Sequence, residues 1–175
     1  MHYLLYLLIS IVCILGVHSY LLHSQRHERK WSISVHAAKH SKTLTIYLLG
    51  HIIGGGFFVL FAYSYFYALH DLKLLFLVAC VAVFFEYLQA CLPAKGKTNS
   101  PHELAAYIMW VLFIVVSLIA YFQLSLSAER RLLIAPLLIA SIVMFIYVHY
   151  NHTRLYLYQM WMTALVFFAL FVMIV

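Results

Sequence analysis

Six uninterrupted apolar stretches, each close to the length that crosses a bilayer, leave this chain few ways to fold. They run at 3–22, 44–69, 74–92, 104–127, 132–149 and 155–175, with short polar punctuation between them. The hydrocarbon core demands about 20 apolar residues per helix, and within it every backbone N–H and C=O must find a partner inside the protein. The reading is therefore all-α: a polytopic transmembrane bundle of six helices, with residues 1–175 as a single domain. In the two shortest stretches the one interior breaker is Pro136, which sits in the first turns of its helix, where proline is tolerated.

Composition removes the soluble alternative. Of 175 residues, 66% are hydrophobic and 9% charged, whereas a soluble domain carries about 25% charged residues. The net charge of +6 then reads as membrane orientation and attraction to anionic headgroups, with no nucleic acid as partner. Cys13, Cys80 and Cys91 lie in or beside apolar runs without metal-type spacing and read as small packing residues. The first stretch lacks a basic leader and a small-x-small cleavage site, so it is expected to stay as a helix of the mature protein.

Short connections make successive helices antiparallel neighbours. The loops after helices 1, 3 and 5 share one side and carry Arg26, Arg29, Lys30, Lys39, Lys42, Lys95, Lys97 and Arg154. Lys73, Arg130 and Arg131 lie opposite. The positive-inside rule puts the first set in the cytoplasm of a cell or inner membrane, with both termini outside. In the long first connection, Trp31 to Thr43 is expected to form a short interfacial helix. There Arg26, Arg29, Lys30, Lys39 and Lys42 are candidate headgroup-binding residues.

Ionisable residues inside a span are costly and are candidates for function. His51 lies some seven residues into the second stretch and Glu86 some six from the end of the third. At 1.5 Å per residue both are expected about 10 Å below the same membrane face. Around them the sequence places Gln89, His102, Glu103, His149 and Gln159, together with His18 and Ser34, while the other half of the membrane has mainly Gln123, Asp71 and Glu129. Tyr47, Gly54, Gly55 and Phe58 share helical spacing with His51, and the run Gly54-Gly55-Gly56 opens room for a backbone or a ligand. Ala79, Ala82, Glu86, Gln89 and Ala90 form one stripe expected to face protein. The plainer alternative is a polar pair that simply holds helices together. Pro101-His102-Glu103 first reads as a helix start with Ser100 as N-cap. His36 and His40 would share a metal-binding face if helical, but a solvated segment is the simpler reading, and no metal or cofactor is assigned.

Several of these residues resemble the Frag1/DRAM/Sfk1 family, and in size and helix count the chain is similar to bacterial families of the DUF998 kind. Phe85-Glu86-Tyr87-Leu88-Gln89, a short polar loop, then His102 with Ala105-Ala106-Tyr107 resembles its third-to-fourth-helix segment. The Ser34 region is similar to its Ser-containing first loop, and Tyr158-Gln159-Met160-Trp161 to its final helix. Gln159 stands where the family has an acid, and the charge-based orientation is opposite to the outward first loop usual there. The resemblance implies a six-helix fold and a lipid-related role.

Four functions fit these features: a protein that binds or remodels a membrane lipid at the polar face, which is the leading reading; a metal or haem enzyme; a proton-coupled transporter, channel or sensor using His51 and Glu86; and a structural subunit. Membrane lipids are the expected partners, and a narrow six-helix bundle also invites a homo-oligomer or a membrane complex.

Overall fold

The computed structural model describes residues 2–24, 33–92, 100–150 and 155–175, with the side chains of Ser24, His36, Ser100, His149, Leu155 and Tyr156 outside the description. These residues form α1 (His2–Ser24), α2 (Ile33–Ala37), α3 (Ser41–Ala62, continued by a π-helical turn, Tyr63–Leu69), α4 (Lys73–Cys91), α5 (Ser100–Gln123), α6 (Ala128–Tyr150) and α7 (Leu155–Ile174). All but α2 contain a segment long and apolar enough to cross a membrane, six in total. The protein is an all-α, membrane-embedded bundle.

The helix ends are set by polar details that hydropathy does not weigh. The expected interfacial helix is reduced to α2, five residues long, and Trp31 lies outside the described residues. The chain breaks before α3, where the Thr43 hydroxyl donates to the carbonyls of Ala37 and His40, at 2.8 Å each, and takes up acceptors that the break leaves open. α5 stops at Gln123, four residues before the expected end at 127. Arg131 donates to the carbonyls of Tyr121, Leu124 and Leu126 at 3.3–3.4 Å and lies over the Tyr121 ring, so the guanidinium closes the helix end. α6 begins at Ala128 rather than 132, because Ser127 caps it: its hydroxyl accepts the Arg130 N–H at 3.3 Å. At the far end of α3, Asp71 takes a left-handed φ of 52°, a conformation that Asp tolerates better than most residues.

α1 packs on α3, α3 on α4, α4 on α5, α5 on α7, and α7 returns to α1, while α6 lies outside this ring against α5 and α7. Accordingly α6 is the least buried span. From the middle of the bundle towards the face away from α2, the interior is aromatic. Phe58, Phe61 and Phe66 are fully buried, and Phe58 meets Phe113 and Phe167 edge-on at 5.3 and 6.0 Å. Such edge-to-face pairs suit a close-packed apolar layer.

Glycines let α1 and α4 approach α3. A Cβ on Gly50 would sit 2.2 Å from Val17 Cγ2, and one on Gly54 2.6 Å from Ile14 Cγ1, so both glycines admit α1. A Cβ on Gly55 would meet Tyr87 Cε1 at 2.6 Å, so this one admits α4. The glycine run is thus filled by neighbouring helices rather than by a ligand. Gly16 on α1 has nothing within 4 Å.

Gly50→Ala and Gly54→Ala should therefore destabilise the bundle by about 1–3 kcal/mol through overpacking. Gly16→Ala should be neutral or slightly stabilising, because alanine is the better helix former. Unfolding of the three variants in detergent micelles checks this ranking, and equal stability of all three would contradict the close α1–α3 approach.

Candidate functional site

The stripe Ala79, Ala82, Glu86, Gln89 and Ala90 on α4 is buried, as is the Tyr47–His51–Gly54–Gly55–Phe58 face of α3. These two surfaces meet, and the meeting pairs their polar residues. His51 Nδ1 lies 2.9 Å from Glu86 Oε1, with side chains 5% and 3% exposed. One turn towards the α2 face, the Tyr47 hydroxyl donates to Gln89 Oε1 at 3.0 Å. The Tyr47 ring packs against the His51 ring at 4.4 Å, and His18 of α1 lies 5.5 Å from His51 on another side.

The two residues meet although they stand at different distances from their helix ends. α3 begins at Ser41, so His51 is ten residues into its helix (41 to 51), while Glu86 is five from the end of α4 (86 to 91). The counts differ because α3 starts further out, at Ser41 rather than 44, than hydropathy indicates. The hydrogen bond forms because α3 extends beyond α4 at this face.

A second polar group closes the cluster towards the face. His102, in the first turn of α5, places Nδ1 at 2.8 Å from the Gln89 carbonyl and 3.1 Å from that of Leu92. A nitrogen facing two carbonyls carries the hydrogen, so Nδ1–H donates. In the neutral ring Nε2 then accepts the Ser34 hydroxyl, 2.7 Å away on α2. The carbonyls that His102 takes up belong to the last turn of α4, where helix geometry leaves acceptors open. From α7, Gln159 Oε1 accepts the Ile33 backbone N–H at 3.1 Å. One short helix, α2, is in this way held by both α5 and α7.

Of the candidate residues, His51, Glu86, Gln89 and His102 come together in the buried cluster, and Gln159 joins at its edge. Glu103 is exposed at the start of α5 and lines neither of the cavities below. The side chain of His149 lies outside the described residues, as do Arg26, Arg29 and Lys30. Lys39 and Lys42 are exposed on the same face. α2 ends at Ala37, so His36 and exposed His40 do not share one helical face, and the His36 side chain is not described. Among the described residues no group of three His, Cys, Asp or Glu side chains is placed to hold a metal ion. Gln123, Asp71 and Glu129 are exposed at the opposite face.

Two small cavities adjoin the cluster. The outer one, about 40 Å³, is lined by Ser34, Tyr47, Gln89, His102 and Gln159 among others. The inner one, about 30 Å³, is bordered by His51 and Glu86 and by apolar residues such as Ile14, Phe113 and Phe167. His18, His51, Met109 and Trp110 form the partition between them. Small-molecule pockets measure about 300–1,000 Å³, so these spaces are on the scale of water. Met109 and Trp110 had no signal in the sequence, since apolar residues in a span read equally well as lipid-facing.

Among the described residues, His51 Nε2 and Glu86 Oε2 are buried with no hydrogen-bond partner. Most buried polar atoms in native structures are paired, so two orphans on one ion pair set it apart from an ordinary interhelical clamp. Comparison with protein-family models, with curated proteins and with solved structures finds no match.

Removing one partner of a buried pair leaves the other uncompensated, at a cost of about 3–5 kcal/mol. Glu86→Ala should destabilise by that order, and His51→Ala made on top of it should cost much less than it does alone. A double-mutant cycle of unfolding in detergent measures this coupling; strict additivity would deny the interaction.

Proposed function

We propose that this membrane protein binds and releases a proton at the His51–Glu86 pair and that its activity is proton-coupled. The observation that carries the reading is a directly hydrogen-bonded acid–imidazole pair inside two spans, with the second polar atom of each group unpartnered among the described residues. Imidazolium–carboxylate and imidazole–carboxylic acid differ by the position of one proton along a 2.9 Å hydrogen bond. Both forms are neutral overall, so the pair tolerates burial while keeping a transferable proton. A proton added to or taken from it creates net charge next to His18, which is the kind of event that shifts a packed bundle between states. Water-sized cavities suit this chemistry better than they suit an enclosed organic substrate.

The cluster's face is inferred to be cytoplasmic. By sequence it carries eight Lys and Arg, among them exposed Lys39 and Lys42, against Lys73, Arg130 and Arg131 on the other side.

A lipid-handling role is the second reading, favoured by the Ser34–His102 hydrogen bond at the helix ends of the face that bears Lys39 and Lys42. It is also the role implied by the resemblance to the Frag1/DRAM/Sfk1 family. A photocrosslinkable anionic lipid should then label α2 or the adjoining ends of α3–α5, and labelling confined to other surfaces would remove this reading.

The proton reading is tested by proton uptake after an acid jump, followed with an indicator dye on purified protein. Wild type should take up about one proton more per chain than Glu86→Gln or His51→Gln. Equal uptake by all three proteins would rule it out.

A further inference from the structure

The polar and apolar surroundings of the pair are distributed unevenly across the membrane. We propose that the His51–Glu86 pair exchanges its proton with one membrane face only, the α2 face, through the outer cavity and past the Ser34–His102 hydrogen bond. This rests on the proton-binding reading above and adds the direction of access to it.

The two cavities differ in what a water molecule would find. A buried water needs about 10–15 Å³ of such space and two to four polar partners. The outer cavity meets both needs: it measures about 40 Å³ and is bordered by the Ser34 and Tyr47 hydroxyls, the amides of Gln89 and Gln159 and the His102 ring. The inner cavity has the space, about 30 Å³, but beyond His18, His51, Glu86 and Thr163 its lining is apolar: Ile14, Met109, Trp110, Phe113, Val166 and Phe167. His51 borders both. Polar lining thus continues from the pair towards the α2 side, and apolar residues follow on the other side.

Beyond the inner cavity the route is sealed by packing. Phe58 meets both Phe113 and Phe167 edge-on, and Phe61 and Phe66 continue the layer with ring centroids 5.2 Å apart. Three buried hydroxyls of the spans are engaged on their own helices: Ser117 donates to the Phe113 carbonyl, Ser141 to that of Leu137, and Thr163 to that of Gln159. Ser10 has a buried hydroxyl without a partner among the described residues. Tyr65 is buried too, with its ring against Phe61 and His70, and among the described residues no hydrogen bond joins it to Ser10 into a chain of proton carriers. On the α2 side, by contrast, the described residues set hydrogen bonds across the outer cavity, between Ser34 and His102 and between the Ile33 N–H and Gln159, rather than packed rings.

Titratable groups face the pair from several elements. α1 contributes His18, α3 contributes Tyr47, α4 contributes Tyr87, whose hydroxyl donates to the Ile52 carbonyl, and α5 contributes His102. Among the described residues α7 offers the uncharged Gln159 and Thr163. None of the described Lys or Arg side chains lines either cavity.

Trp110, in the partition beside His51, is a built-in reporter, because an imidazolium next to an indole quenches its emission. In the Trp31→Phe/Trp161→Phe protein, Trp110 remains as the sole indole. This protein is placed in vesicles of defined orientation, and pH is changed on one side at a time. Quenching should follow pH on the α2 face, be lost for pH on the opposite face, and disappear in Glu86→Gln and His51→Gln. Ser34→Ala should speed the response from the α2 face. Should the two-site tryptophan variant not assemble, the carboxyl infrared band of the wild type, assigned with Glu86→Gln, reads the same sidedness. Equal responses from both faces, or a response from the opposite face alone, would overturn one-sided access while leaving proton binding intact. No response in detergent at any pH, together with no difference in proton uptake, would overturn the proton reading and this inference with it.

Discussion

Inside hydrocarbon a polar atom has no solvent to bond with, and the hydrogen bond between His51 and Glu86 is the place where this bundle meets that condition at the greatest cost. Two ionisable groups in adjacent spans tolerate one another only at bonding distance, which requires α3 and α4 to run close together with matched faces. The small residues of that interface follow from this requirement: Ala79 and Ala82 on α4 and Gly55 on α3 leave space for the approach. Gly50 and Gly54 let α1 close the other side of α3 and bring His18 beside His51.

The cluster also explains why α2 exists. Five residues have no helical stability of their own. Thr43 ties α2's end to the start of α3, Ser34 bonds His102, and the Ile33 N–H bonds Gln159. Each bond takes up a backbone or side-chain group that would otherwise be buried unsatisfied at the membrane face. The short helix is therefore a cover held by three spans, and the polar cluster lies beneath it.

The asymmetry of the bundle carries the functional argument. Hydroxyls, amides and imidazoles surround the pair on the α2 side, and edge-packed phenylalanines fill the other. A clamp that merely joined helices would be best placed with every atom satisfied, as the Tyr47–Gln89 and Ser34–His102 bonds illustrate. The pair instead keeps Nε2 and Oε2 unpartnered among the described residues, next to spaces the size of water. Its cost is offset by packing elsewhere in the ring of helices.

Apolar runs and charge counts were enough to establish an all-α membrane bundle with six spans, because the bilayer accepts no other use of such stretches. They also singled out His51 and Glu86, since ionisable residues in a span are rare enough to stand out. Helix ends were less legible: the Arg131 cap on α5 and the Ser127 cap on α6 are specific hydrogen bonds that hydropathy does not register. Tertiary structure alone decided the partners. His51 meets Glu86 although their helix-end distances differ, the glycines face α1 and α4 rather than a ligand, Glu103 points to solvent while neighbouring His102 is buried, and Met109 and Trp110 border the pair. The physical reason is that a lipid-facing and a core-facing apolar residue look alike along the chain, and only the packing of one helix against another tells them apart.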